Sequence, residues 1–149
     1  MIIDAYGKTD VGMKRSHNED SLLCLPEFSL FAVADGMGGH NSGEIASRIA
    51  VDSLQSFWMR TDKDPDATWP FKEEKHLQFH ENRLATAIKL ANKRIFDEAT
   101  KSSQYKGMGT TVVCCLYASQ KLLFAHIGDS RGYQIRGGRI SQITQDHSL

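Results

Sequence analysis

Cysteine is scarce in this chain, net charge is absent, and no long apolar run occurs. The three cysteines are Cys24, Cys114 and Cys115. An odd count with one adjacent pair is no disulfide framework, and no Cys-x-x-Cys pair exists for zinc. Reduced core cysteines in a cytoplasmic protein are the expectation. No stretch approaches the roughly 18 apolar residues a membrane span needs. Met1-Ile2-Ile3-Asp4 lacks the basic and apolar regions of a signal peptide, so none is expected. Lys+Arg and Asp+Glu both number 18, which speaks against a bulk-electrostatic binder of nucleic acid or of an anionic membrane. No internal repeat or low-complexity tract is present. What remains is ordinary globular composition, 40% hydrophobic and 24% charged over 149 residues, enough for one domain with a sizeable core.

Three pairs of strands are predicted. Ser21 to Leu25 and Ser29 to Ala34 flank Pro26-Glu27 as a hairpin. Thr110 to Ala118 and Lys121 to Ile127 flank Ser119-Gln120. Tyr133 to Arg136 and Arg139 to Ile143 flank Gly137-Gly138, which suits a turn needing two positive φ angles. Residues 2–6 are a further strand candidate. Two helices fit between, Gly43 to Arg60 and Glu81 to Lys101. The first carries Ile45, Ile49, Leu54, Phe57 and Trp58, with Asn41 and Glu44 as a capping box. The second carries a stripe of Leu84, Ile88, Ala91 and Ile95. The polar segment 61–80 reads as a connector. Strands 31–34 and 110–117 are apolar on both faces, which implies stacked layers, whereas the tight turns imply antiparallel pairing. Face-to-face sheets with helices outside satisfy both.

The first hairpin carries the sharpest chemical signal. If Leu25 pairs with Ser29, Glu19 lies opposite Asp35 and Asp20 opposite Ala34. Opposed carboxylates repel in a sheet, and a divalent cation between them reverses the sign. Hard oxygen donors suit magnesium or manganese. The competing reading leaves them as independent surface carboxylates. Asp35 then enters Gly36-Met37-Gly38-Gly39-His40, where glycine permits close backbone approach to a ligand before a helix N-terminus. This turn is neither a dinucleotide fingerprint, since Asn41 stands where glycine is needed, nor a phosphate loop, since Glu44-Ile45 follow Gly43. Gly128-Asp129-Ser130-Arg131-Gly132 matches a nucleophile elbow, but a strand rather than a helix is predicted after it. His76 and His80 lack the glutamate of a zinc-protease motif and read as a solvated pair.

Five ordered motifs combine into a pattern: Arg15-Ser16-His17-Asn18-Glu19-Asp20, Val33-Ala34-Asp35-Gly36-Met37-Gly38-Gly39-His40, Met108-Gly109-Thr110-Thr111, His126-Ile127-Gly128-Asp129-Ser130-Arg131 and Thr144-Gln145-Asp146-His147. Together they resemble the metal-dependent protein phosphatase family, type 2C, in its bacterial form. The resemblance implies an α+β fold, a four-layer α/β/β/α sandwich of antiparallel sheets flanked by helices. It implies hydrolysis of phosphoserine and phosphothreonine on proteins by a metal-bridging hydroxide, using two Mn2+ or Mg2+ ions and a third, weaker one. By similarity Asp35 bridges both ions, and Glu19 and the carbonyl of Gly36 bind one of them. Asp20 holds water on the metals, Arg15 binds the substrate phosphate, and Asp129 helps hold the third ion. The implied partners are phosphorylated proteins that a serine/threonine kinase modifies.

The pattern departs from the family in two ways. Many eukaryotic members have a histidine two residues after the bridging aspartate, where this chain has Met37; bacterial relatives commonly share the methionine, and metal-bound water or His40 is the alternative candidate for the general acid. The family pattern also continues for roughly another hundred residues, with two more metal-binding aspartates. The chain therefore reads as the N-terminal portion, residues 1–149, of a single phosphatase domain, with weak metal binding and reduced stability expected in isolation. The alternatives are a non-catalytic metal- or phosphoprotein-binding remnant and, more remotely, a serine hydrolase using Ser130.

Overall fold

The structure is a computed structural model and describes residues 1–40 and 42–148. Strand β1 (Asp20–Leu25) and strand β2 (Leu30–Met37) form the first hairpin. Helices α1 (Ser42–Lys63) and α2 (Phe79–Lys101) follow, then strands β3 (Gly109–Thr110), β4 (Val112–Ala118) and β5 (Lys121–Ile127). Strands β6 (Tyr133–Arg136) and β7 (Arg139–Gln142) close the described chain. One antiparallel sheet runs β1-β2-β4-β5, with β3 also pairing β2, and β6-β7 is a separate two-stranded sheet.

Local chemistry explains most of these elements. Ser119 and Gln120 take φ of 50° and 61°, so Ala118 pairs Lys121 across a two-residue turn with two positive φ angles. Gly137 and Gly138 do the same at 56° and 75°, where glycine carries no Cβ penalty. The strand expected from Thr110 breaks at Thr111. There the Thr111 N–H donates to the Asp35 carbonyl at 2.9 Å, and its hydroxyl accepts from the Asp35 N–H at 3.1 Å. Helix α2 begins two residues before the expected Glu81, because Glu81 reaches back and accepts the Gln78 N–H at 2.7 Å. The expected capping box at Asn41 lies outside the described residues. Residues 2–6 form no strand; Ile2 and Tyr6 are exposed, and the segment touches the sheet near Gly7 and Leu22.

The core lies between the helices and one face of the large sheet. Leu23, Leu25, Leu30, Ala32 and Ala34 meet Leu54, Phe57 and Trp58 of α1 and Leu84, Ala87 and Ala91 of α2. The buried face of α1 begins with Ser42, Gly43, Ala46, Ser47 and Ala50 rather than with the expected Ile45 and Ile49, which are half-buried. Small side chains let the helix approach the sheet closely enough for Ser47 and Ser21 to hydrogen-bond at 2.9 Å. The connector reading of 61–80 fits Trp69, which packs edge-on against Phe57 with ring centroids 5.8 Å apart. The opposite sheet face carries Leu22, Cys24, Phe31, Val33, Val113 and Cys115, as period-2 alternation requires. The described residues thus supply an α+β fold of antiparallel sheets and two helices.

Candidate metal and phosphate site

Asp20, not Glu19, faces Asp35. The ladder pairs Asp20 with Asp35, Leu22 with Val33 and Leu25 with Leu30. The expected register is corrected by one residue. The cause is the turn: Pro26–Phe28 form a single 3-10 turn and Ser29 adopts left-handed backbone at φ 53°, so the loop uses Ser29 as well. A one-residue slip changes which side chains share a face. Here it places Asp20 and Asp35 together on the face opposite the helices.

The Asp35 carboxyl is held above the ordinary carboxylate range. Partial desolvation is the largest cause, followed by repulsion from Asp20, a hydrogen bond shared with Asp20, and repulsion from Asp129. Arg15 acts in the opposite sense and more weakly. Arg15, His17, Glu19, Asp20 and Asp35 line one cavity of about 230 Å³, together with Asp10. Asp10, Asp20 and Asp35 also line an adjoining cavity of about 310 Å³, with Lys8 and Ser130.

Glu19 takes a different place. Its carbonyl accepts the Gly36 N–H at 3.1 Å. Its carboxylate reaches the start of α1, where a β-carbon on Gly43 would lie 2.7 Å from Oε2. An anion is favoured at such a helix N-terminus. Gly36 packs directly on Gly43, and a β-carbon on Gly36 would collide with the Gly43 carbonyl oxygen. Close approach, not unusual φ, is why glycine stands at position 36. His40 lines a separate cavity with Glu44, Arg48 and Asp52 and does not line the Asp35 cavities.

The loop after β5 lies close to Asp35. Asp129 is exposed and near enough to raise the Asp35 pKa. Ser130 Oγ and Thr111 Oγ1 are 2.6 Å apart. The loop is tied to the following segment: His147 N–H donates to the Gly128 carbonyl at 2.9 Å, and Arg131 grips Asp146 with both Nε and Nη2, the shortest contact being 2.7 Å. Strand β6 follows, so the strand-turn-helix of a nucleophile elbow is absent, and among the described residues no histidine hydrogen-bonds Ser130. His76 lies 3.5 Å from Glu74 and is mostly exposed.

The donor set suits a hard divalent ion in chemistry. Asp20 and Asp35 are oxygen donors whose mutual repulsion a cation would relieve. Among the described residues, however, no group of three or more His, Cys, Asp or Glu side chains converges as a metal cluster. Two participants escaped the sequence reading. Thr111 anchors Asp35 from both directions; the motif Met108-Gly109-Thr110-Thr111 held it, but nothing in the motif gave it this role. Asp10 lines both cavities; its signal is the Asp-x-Gly turn in which Gly12 N–H donates to Asp10 Oδ1 at 2.7 Å.

Comparison with known proteins gives the same frame. The serine/threonine phosphatase stp of Listeria innocua is 37% identical over 145 residues, covering 95% of this chain and 54% of the relative. The serine/threonine protein phosphatase PstP of Mycobacterium tuberculosis is 34% identical over 149 residues, covering all of this chain and 26% of the relative. The crystal structure of the PstP catalytic domain in complex with two manganese ions superposes with a TM-score of 0.74 at 35% identity, over 93% of this chain and 54% of that one. Stp1 of Staphylococcus aureus gives 0.73 at 37% identity, over 95% and 52%. The chain thus spans about half the length of the solved domains it matches. The profile of protein phosphatase 2C matches residues 13–148, from just before Arg15 through the Asp20–Asp35 pair to His147, and the chain belongs to that family.

Proposed function

We propose that this chain is the N-terminal portion of a single phosphatase domain that hydrolyses phosphoserine and phosphothreonine on proteins. The observation that carries the reading is the Asp20–Asp35 pair beside Arg15 in one cavity. Asp35 and Glu19, with the Gly36 carbonyl, would hold two Mn2+ or Mg2+ ions, and Asp129 would contribute to a third. When bound, such ions lower the pKa of water towards about 7 and offset charge on the phosphoryl oxygens. Asp20 orients water through its position opposite Asp35. Arg15 presents a planar fork that matches two phosphate oxygens and holds the phosphorus in line for attack. His40, in its separate cavity, is the weaker candidate for protonating the leaving oxygen. Substrates are phosphoproteins made by a serine/threonine kinase. Among the described residues no helix is long and apolar enough to cross a membrane.

The half-length span and the incomplete ligand group favour one second reading, a non-catalytic metal- or phosphoprotein-binding remnant. Manganese-dependent phosphate release from a phosphothreonine peptide separates the two. It is measured for this chain and for the chain extended to the relatives' length, with chelator and Asp35→Asn controls. The phosphatase reading expects the extended chain to turn over and Asp35→Asn to lose about 100-fold or more. Phosphopeptide binding without turnover in both lengths supports the remnant. Turnover that survives chelator and Asp35→Asn but vanishes in Ser130→Ala would instead favour a serine hydrolase.

A further inference from the structure

The other end of α1 holds a buried cation that the phosphatase chemistry does not use. Arg83 of α2 is only 9% exposed. Its guanidinium lies 3.9 Å from the centroid of the buried Trp58 ring. Nε and Nη2 donate to Thr61 Oγ1 at 3.1 and 2.8 Å, and Nη2 donates to the Trp58 carbonyl at 3.0 Å. These bonds close the last turns of α1, where a cation is favoured. They leave Nη1 without a hydrogen bond among the described residues, and no carboxylate forms an ion pair with Arg83 there. Burial pulls its pKa below the ordinary arginine value, and Asp62 raises it only from a distance.

Arg83 lines a cavity of about 480 Å³ with Trp69, Pro70, Phe71, Phe79 and the cation Lys72. Glu73 also lines it but is not bonded to Arg83. Trp69 and Phe79 stand with ring centroids 5.5 Å apart, tilted at 45°, so the wall is aromatic. The volume is that of a small-molecule site. Nη1 is not sealed from solvent, so an anion with an apolar body can reach the guanidinium while covering the rings. The cavity meets α1 at Thr61, so it lies about 27 Å along the helix from Gly43 beside Gly36.

The geometry points to a binding site for a small aromatic carboxylate, with the anion on Arg83 and the ring against Trp69 and Phe79. The inference does not rest on the phosphatase reading. The chain's two tryptophans, Trp58 and Trp69, both flank the site, so intrinsic fluorescence reads it directly. The chain is titrated with benzoate, with benzamide as the neutral isostere, and with inorganic phosphate. Saturable quenching by benzoate with a Kd of about 1 mM is expected, with both controls at least about tenfold weaker. Arg83→Met keeps the stem over Trp58 and should lose benzoate binding by a similar factor. If that variant does not fold, the benzoate-to-benzamide ratio on the unaltered chain still decides. No saturable response to benzoate, an equal response to benzamide, or an equal response to phosphate would each overturn the assignment.

Discussion

Asp20 and Asp35 stand directly opposite each other across the β1–β2 ladder, where their charges repel. Partial desolvation, and after it this repulsion, keeps the Asp35 carboxyl above its ordinary range. The same opposition makes the pair a poor structural element and a good place for a cation.

In chelator, Asp20→Asn is therefore expected to stabilise the fold by about 0.5 kcal/mol at neutral pH, the size of a like-charge cross-strand pair. The pH dependence has a definite sign. A carboxyl whose folded pKa is raised contributes stability that is fully present below its unfolded value and lost as pH rises through the folded one. The unaltered chain should thus lose stability relative to Asp35→Asn as pH rises above the ordinary aspartate value of 3.8. Paired urea melts across that range check it, and a difference that is flat with pH would contradict it.

Gly36→Ala should cost about 2–3 kcal/mol, because the new methyl meets the Gly43 carbonyl oxygen at the seat of α1. Gly39→Ala, where a β-carbon meets nothing within 4 Å, is the control and should cost well under half of that. The shift in urea midpoint measures both.

Burial pushes the Cys114 thiol up to about 12 and raises that of Cys115 as well. At pH 8 only roughly one Cys114 in ten thousand is thiolate. A disulfide reagent should therefore leave Cys114 unlabelled in native protein and label all three cysteines in urea. Rapid native labelling of Cys114, read by peptide mass, would refute this.

The Arg131–Asp146 pair ties the segment after β7 to the Asp129 loop. Its hydrogen bonds hold the Asp146 carboxyl below the ordinary range. That contribution is present above the unfolded carboxylate value and lost as pH falls through the lowered one. Asp146→Asn should speed exchange of the His147 amide, which donates to Gly128, while the amides of β4 stay protected. Equal exchange in both proteins would show that the pair does not anchor the segment.

The features legible in the sequence were those fixed by neighbours along the chain. The Ser119-Gln120 and Gly137-Gly138 turns, the α2 stripe and the order of the five motifs fall in this class. Turn chemistry and hydrophobic period are local, so the residues themselves specify them. The register of the first hairpin was missed by one because a single backbone angle at Ser29 decides whether the turn takes three residues or four. Similarly, Ile45 and Ile49 satisfied the helical period, yet close packing against the sheet selected Ala46, Ser47 and Ala50.

By itself the sequence determined the family, the antiparallel strand pairs and the carboxylates proposed to carry the chemistry. Only the tertiary structure decided which carboxylate faces Asp35, that Gly36 is glycine because Gly43 presses on it, and that Arg83, with no ion pair among the described residues, is buried beside an aromatic cavity. The physical reason is range. Turns and periodic faces arise from interactions within a few residues, whereas charge repulsion, steric contact and desolvation depend on atoms that the fold brings together from distant parts of the chain.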